Sequence, residues 1–426
     1  MSKNLSEIRF IHAADIHLDS PLKGLESYEG APVERIRGAT RKAFERLIDL
    51  AIEEQVDFVL IAGDLFDRKW PDMSTGLWTA GQFRRLAAKQ IPVYLIRGNH
   101  DAAREVAQRI RWPDNVHELS CDQAESLQLP QLPVTIHGQG FDRREVLHDL
   151  AADYPPADPD RFNIGLLHTS LTGDPAHDRY APTSEEVLRS KGYDYWALGH
   201  IHQRRTVSDD PFIGYCGNTQ GRHINEPGER GCLLVSISDR AITDVSFRAT
   251  DVLRWHLLAI ELQVDDTVDD LFDQVRRGLQ QLISESDGRF CAVRIEVSGS
   301  CAAHGILTDA SGFEEALAEI RNLAAESDQV WIEKVRIRTT PPIDLDQLRR
   351  GSDLMGDLLK SIDRLKQDAG SEERSELTEV LEPLMNKAAA ELSAAEIQAD
   401  DPDRLVAWLE QAERRLVTLL AADERQ

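Results

Sequence analysis

Five short stretches hold most of the residues that could do chemistry. They are Asp15-Ile16-His17, Gly63-Asp64-Leu65-Phe66-Asp67, Gly98-Asn99-His100-Asp101, His168-Thr169 and Gly199-His200-Ile201-His202. Their side chains are carboxylates, imidazoles and one carboxamide. Mixed nitrogen and oxygen donors suit manganese, iron or zinc better than magnesium or calcium. No thiolate takes part, which excludes a cysteine-rich structural zinc site. There are too many donors for one tetrahedral ion. Two ions about 3.5–4 Å apart, sharing a carboxylate and a water, use them all. Singly, each stretch has a bland reading: Asp-x-His is a common turn or cap, a His-x-His pair is often structural, and Gly, Asn and Asp are turn formers. Together they argue for one site, because each begins within a residue or two of the end of an apolar run.

Those runs are Ile8–Ala13, Phe58–Ala62, Val93–Ile96, Val134–Ile136, Ile164–Leu167 and Tyr195–Leu198, all of strand length. Between the first two, Phe44, Leu47, Ile48 and Ala51 recur at helical spacing. A second helix carries Leu77, Ala80, Phe83 and Leu86. Alternating strands and helices read as α/β. In open α/β sheets ligands bind beyond the carboxyl ends of the strands, so side chains at those ends converge on one crevice. From Phe212 to Val245, short strands with Gly turns suggest antiparallel pairing. A small α+β unit follows, with strands at Trp255–Leu262, Cys291–Val297 and Val330–Ile337 and helices at Val268–Leu282 and Phe313–Ala325. Pro341-Pro342 closes it. The remainder is polar and helical. Its last helix spaces Leu405, Leu409, Ala412, Leu416 and Leu419 as a seam of about two heptads, short of a coiled coil.

The order of the five motifs resembles the calcineurin-like metallophosphoesterase superfamily. It is closer to SbcD-type DNA repair exonucleases. The stretches His168-Thr-Ser-Leu-Thr-Gly173, Tyr180-Ala-Pro182 and Gly192-Tyr-Asp-Tyr-Trp-Ala-Leu-Gly-His-Ile-His202 are similar to the YhaO-like branch of those enzymes. The resemblance covers residues 8–250; beyond that it rests on domain order. It implies an α/β sandwich of mixed sheets flanked by helices at 1–250, a small α+β capping domain at 251–342 and a helical C-terminal region at 343–426. It implies that Asp15, His17 and His202 hold one divalent ion, that Asn99, His168 and His200 hold the other, and that Asp64 bridges them. Manganese is the first expectation, with iron and zinc open. His100 would lie beside the scissile phosphate and protonate the leaving oxygen or stabilise developing charge. Asp67 would accept a hydrogen bond from His100 and fix its tautomer. Archaeal and eukaryotic relatives carry histidine where this chain has Asp67, so their balance of exonuclease and endonuclease activity does not transfer.

The net charge of −25 argues against DNA binding by bulk charge. Residues 1–250 hold 29 Lys+Arg against 37 Asp+Glu, and residues 251–426 hold 20 against 37, so the second part carries most of the excess. Basic residues nonetheless flank the motifs: Arg68, Lys69, Arg97, Arg104, Arg204, Arg205 and Arg222. Any one of them is more often a solvated, paired surface residue; as a group they would suit a phosphate backbone. Trp70, Trp112 and Tyr180 could stack on bases, although core packing is favoured for each. The resemblance implies DNA as substrate, an SbcC-like coiled-coil ATPase docked on the C-terminal helices, and a homodimer. The five cysteines are scattered without CxxC spacing, which fits free thiols in a reducing compartment. The chain shows no signal-peptide pattern and no membrane-length apolar run, and a cytoplasmic location is expected. Two rival readings are a phosphodiesterase for small nucleotides and a non-catalytic scaffold. The scaffold is disfavoured because no ligand position is replaced.

Overall fold

The computed structural model describes residues 7–20, 32–67, 73–102, 110–171, 180–342, 345–351 and 354–367, with residues 383, 409, 412, 413 and 416. Arg68, Lys69, Trp70, Arg104, Thr172, Gly173, Leu405 and Leu419 therefore lie outside the described residues.

The elements run β1 (Glu7–Ala13), α1 (Val33–Arg37), α2 (Ala39–Glu53), β2 (Phe58–Ala62), α3 (Met73–Ala87), β3 (Val93–Ile96) and β4 (Val116–Glu118). Next come β5 (Glu125–Gln128), β6 (Val134–Gly138), β7 (Phe162–His168), α4 (Glu185–Ser190), β8 (Tyr195–Gly199), β9 (Arg205–Asp209), β10 (Phe212–Tyr215), β11 (Gly231–Ser238) and β12 (Ala241–Ala249). They build two six-stranded sheets, ordered β12-β11-β1-β2-β3-β4 and β5-β6-β7-β8-β10-β9. The interior pairs β1–β2, β2–β3, β6–β7 and β7–β8 are parallel, while β11, β12, β5 and β9 add antiparallel edges. This is the mixed α/β arrangement the sequence implies. The antiparallel pairing expected from Phe212 onward holds only in part. β10 pairs parallel with β8 and only its other edge is antiparallel, to β9.

The apolar runs look continuous because both faces of these strands are covered. Alternate residues then serve different cores. Phe10, Phe58, Leu60 and Ile96 face the gap between the sheets, where they meet Ile136, Ile164, Leu166, Tyr195 and Phe212. Their neighbours Ile11, Val59, Ile61 and Leu95 face outward onto Phe44, Leu47 and Ile48 of α2 and Phe83 and Leu86 of α3. The second sheet's outer face packs Leu167, Trp196, Leu198 and Ile213 against Tyr154, Leu188 and Tyr193. Leu77 does not join the buried face of α3; it is 62% exposed. Steps of three residues fall back about 60° per step around a helix of 3.6 residues per turn. Leu77 has thus rotated away from the face that Thr75, Thr79, Phe83 and Leu86 line. The strands β4, β5 and β9 escaped the pattern reading because they are short, largely polar and only partly buried.

One polar group crosses the gap between the sheets. His12 of β1 is fully buried; its Nε2 donates to the Leu198 carbonyl at 3.1 Å, so its Nδ1 accepts from the Tyr195 hydroxyl at 3.0 Å.

The following elements are β13 (Leu253–Glu261), α5 (Val268–Glu285), β14 (Phe290–Ser300), α6 (His304–Thr308), α7 (Ala310–Ala325), β15 (Val330–Thr340), α8 (Leu345–Arg350) and α9 (Leu354–Gln367). The three strands form one sheet in chain order, close to the expected α+β unit, with the short helix α6 added. The chain falls into two compact units: Met1–Ala259, Gln274–Glu296 and Leu317–Arg336 form one, and Ile260–Asp273, Val297–Ala316 and Ile337–Gln426 form the other. In the second unit, Arg349 Nη2 reaches the buried Glu413 Oε1 at 2.8 Å and Lys366 pairs with the same carboxylate. Of the C-terminal seam, Leu409 is buried, whereas Ala412 is exposed and Leu416 is 38% exposed. Glu413, one turn after Leu409, takes the buried position instead. Among the described residues no helix is long and apolar enough to cross a membrane. All five cysteines are free, and four of them are buried.

Phe58 sits at the centre of the sandwich. It stacks on Phe10 with centroids 5.0 Å apart and meets the edge of Tyr94 at 6.1 Å. Phe58→Ala should cost about 3–5 kcal/mol, read as a lowered urea midpoint with an unchanged m-value.

Candidate metal centre

Strands β1, β2 and β3 run parallel in one sheet and β7 and β8 run parallel in the other, so the motif loops leave from equivalent ends. Backbone bonds lay the first loop on the second: Asp15 N to Gly63 O at 3.1 Å, His17 N to Asp64 O at 3.0 Å and Leu18 N to Leu65 O at 3.0 Å. Asp101 fastens the second loop to the third. Its carboxylate accepts from Leu65 N at 3.2 Å, Phe66 N at 2.9 Å and Gly98 N at 3.0 Å. The crowding dictates glycine. A Cβ on Gly98 would lie 2.3 Å from Asp64 Oδ1, and one on Gly63, at φ +91°, would lie 2.5 Å from His168 Nδ1. Asp15, His17, Asp64 and His200 all have positive φ, reaching +101° at His200. Such left-handed residues cost of order 1–3 kcal/mol each and persist where surrounding structure holds them.

The side chains converge. Asp64 Oδ2 lies 3.7 Å from His17 Nε2 and 3.6 Å from His168 Nε2, between the two rings. Asp64 Oδ1 accepts from His100 N at 2.8 Å. On one side, His17 Nε2 and His202 Nε2 approach to 3.2 Å, with Asp15 Oδ1 3.8 Å from His202. On the other, His168 Nε2 is 3.0 Å from Asn99 Oδ1. The rings of His168 and His200 meet edge-on at 5.2 Å, and Tyr180 lies edge-on to His200. Asp15, His17 and His202 have ligating atoms close enough to share an ion, as do Asp15, Asp64 and His168. All seven residues assigned as ligands from the sequence thus lie around one centre.

The hydrogen bonds show which way the lone pairs point. His168 Nδ1 is 2.9 Å from the Ala62 carbonyl and must donate to it. Its Nε2 therefore turns a lone pair toward Asn99 Oδ1, which is also an acceptor. His202 Nδ1 is 2.7 Å from Glu226 Oε1 and 3.1 Å from Arg222 Nη2. The shorter contact, to a full negative charge, requires the proton on Nδ1. Nε2 then turns a bare lone pair toward His17. Among the described residues the buried His17 Nδ1 has no hydrogen-bond partner. Two acceptors, His168 Nε2 and Asn99 Oδ1, thus face each other at 3.0 Å and repel, and a cation between them reverses the sign. The donor set and its orientation fit a divalent metal.

The electrostatics agree. Burial, then the neighbouring Asp64 carboxylate, push the Asp15 pKa well above the usual carboxylate range. Burial pushes the pKa values of His17, His168 and His202 down, which keeps the imidazoles in the neutral form a metal requires.

His100 stands beside this cluster. Its Nδ1 is 2.9 Å from Asp67 Oδ1, and Ser20 Oγ donates to Asp67 Oδ2 at 2.7 Å. His17, Asp67 and His100 form a further group close enough to ligate an ion. A cavity of about 960 Å³ opens over Asp64, Asn99, His100, His200 and His202 and extends to Arg204, Arg222, His223 and Glu226. The arginines singled out from the sequence are placed unequally. Arg204 lines the cavity with its guanidinium 4.0 Å above the Phe247 ring. Arg222 lines it too but is held by Glu226. Arg97 pairs with Glu118 and is not among the cavity's lining residues. Trp112 packs parallel to Phe66 and donates to Glu118 at 2.9 Å, which is the core role. Two contributors were not assigned from the sequence. Asp101 was visible in Gly-Asn-His-Asp but had no role there; Glu226 belongs to no motif.

Residues 8–204 match the family model for calcineurin-like phosphoesterase, and residues 255–340 match that for the middle domain of metallophosphoesterase YhaO. The metallophosphoesterase YhaO of Bacillus subtilis is 34% identical over 385 residues, spanning 89% of this chain and 90% of the relative. The DNA double-strand break repair protein Mre11 of Haloferax volcanii is 29% identical, over 63% of this chain and 58% of that protein. Mre11 of Thermoplasma acidophilum is 25% identical, over 65% and 75% respectively.

A pH-dependent response to metal follows. In chelated protein the raised Asp15 pKa gives stability that is full below about pH 4 and lost as pH rises through the folded value. A bound cation takes the proton's place, and fewer protons compete for the imidazoles at high pH. Added Mn²⁺ should therefore raise Tm more at pH 8 than at pH 5. A thermal-shift assay with and without EDTA reads this; equal gains at the two pH values would contradict it.

Proposed function

The chain belongs to the YhaO-type calcineurin-like metallophosphoesterases and is a phosphoester hydrolase; on that premise we propose that it cleaves phosphodiester bonds of DNA as an exonuclease or endonuclease subunit in repair. The observation that carries the phosphodiesterase chemistry is Asp64 Oδ2, set 3.7 and 3.6 Å from the facing nitrogens of His17 and His168. In this reading Asp15, His17 and His202 would hold one ion, Asn99, His168 and His200 would hold the other, and both would share Asp64. When bound, such a pair activates water and withdraws charge from the phosphoryl oxygens. Manganese suits the mixed donors, with iron or zinc as alternatives.

The chain's own residues supply the rest. Asp67 accepts from His100 Nδ1 at 2.9 Å and would stabilise the imidazolium form, whose Nε2–H is the proton given to the leaving oxygen. Ser20 holds Asp67 in turn. Arg204, braced on Phe247 at the cavity mouth, meets a phosphate next to the scissile one. Arg68, Arg97, Arg104 and Arg222 were the other candidates for this role; Arg97 and Arg222 are occupied by acids. DNA as substrate draws on the relationship to the two Mre11 proteins. An SbcC-like ATPase, a homodimer, a capping role for 251–342 and a cytoplasmic location belong to the same proposal. A second reading, hydrolysis of small nucleotide esters, is favoured by those two neutralised arginines.

Asp64→Asn and His200→Ala should abolish Mn²⁺-dependent hydrolysis of a chromogenic bis-ester. His100→Ala should keep its metal by elemental analysis but lose about 10²–10⁴-fold in kcat. Wild-type turnover in His100→Ala would remove that residue from the mechanism. Given end-labelled linear DNA, a closed circle and the bis-ester, the wild-type protein should degrade the linear DNA. Hydrolysis of the bis-ester alone would select the small-ester reading.

A further inference from the structure

The metal-facing rings are not equivalently supported from behind. His168 Nδ1 donates to a neutral carbonyl, Ala62 O at 2.9 Å, and His17 Nδ1 has no partner among the described residues. His202 Nδ1 instead meets a carboxylate, Glu226 Oε1, at 2.7 Å. That carboxylate is 5% exposed and tightly held. Arg222 Nη2 donates to Oε1 at 3.0 Å, and Arg222 N and Asn218 Nδ2 donate to Oε2 at 2.8 and 3.0 Å. Burial alone would push its pKa up, but the hydrogen bond from His202 and the charge of Arg222 override that and hold it far below the usual range. Arg230 fixes the same histidine from its other end, donating to the His202 carbonyl. Ring and backbone of His202 are thus clamped independently.

We propose that Glu226 is a positioning residue: it fixes the Nδ1–H tautomer and orientation of His202 and so sets the affinity for the ion that Asp15, His17 and His202 would hold. The inference rests on the two-ion reading above. A carboxylate behind a ligating imidazole raises its basicity and locks the ring, and removing such a partner typically costs 10–100-fold in metal affinity. A purely architectural carboxylate would hold the 218–226 turn and leave metal affinity unchanged once the protein is folded.

The test titrates Mn²⁺ into metal-free full-length protein, with bound metal counted by elemental analysis and EPR recording spin coupling between ions. Wild type should bind two equivalents and show a coupled pair. Wild type that binds fewer than two counts against the two-ion reading and not against Glu226. Glu226→Gln and Glu226→Asp, each checked for folding by circular dichroism, should bind one of the two ions 10–100-fold more weakly and show the spectrum of isolated Mn²⁺. Either variant, folded and binding two coupled ions at wild-type affinity, overturns the proposal. A measurement on unaltered protein holds even if both variants fail to fold. Nitrogen-15 NMR of metal-free wild type should show His202 protonated at Nδ1 and bare at Nε2, with Nε2–H as the overturning result.

Discussion

The Asp64 carboxylate is the constraint from which the rest of the centre follows. One oxygen is fixed by the His100 amide and the other is left between the His17 and His168 rings. Holding a buried charge there requires backbone from three loops to close around it. Only glycine at 98 leaves room, and Asp64 itself adopts a left-handed conformation. The loops can accept that strain because they leave strands buried on both faces, whose positions the sandwich fixes. A carboxylate in this setting is unfavourable without compensation, and the surrounding neutral imidazoles do not provide it. The arrangement fits cations.

Much of this was legible in the residue order. The strand ends were marked by apolar runs stopping at Gly-Asp, Gly-Asn-His and Gly-His, and all seven donors meet where those runs imply. The reasons for the glycines could not be read, since they depend on loops that approach from distant positions. Glu226 was hidden for a similar reason. It lies in a Gly-rich turn 24 residues beyond His202, and nothing in its neighbourhood separates it from an exposed acid. Arginines near the motifs looked alike in sequence; only the fold distinguishes Arg97 and Arg222, each facing an acid, from Arg204 on its aromatic support. Leu77 and Leu416 show the limit of spacing arguments, because helical periodicity selects a stripe but does not say where its buried arc ends.

The two sides of the centre differ in what stands behind the ligands. Toward His168 the support is a strand carbonyl, part of the rigid sandwich; toward His202 it is a side-chain network in a connecting turn. The first belongs to the end of β2. The second depends on a few buried polar residues between β10 and β11.

His12 adds a consequence of another kind. Because it ties Tyr195 and Leu198 to β1 from within the gap, neither sheet can slide past the other without stranding polar atoms in a dry interior. Burial brings its pKa down to about 3, so acidification to the mildly acidic range leaves the tie uncharged and intact. The spacing of the strand ends, and of the side chains they carry into the centre, is thereby held from inside the sandwich and not from its solvent-facing rim.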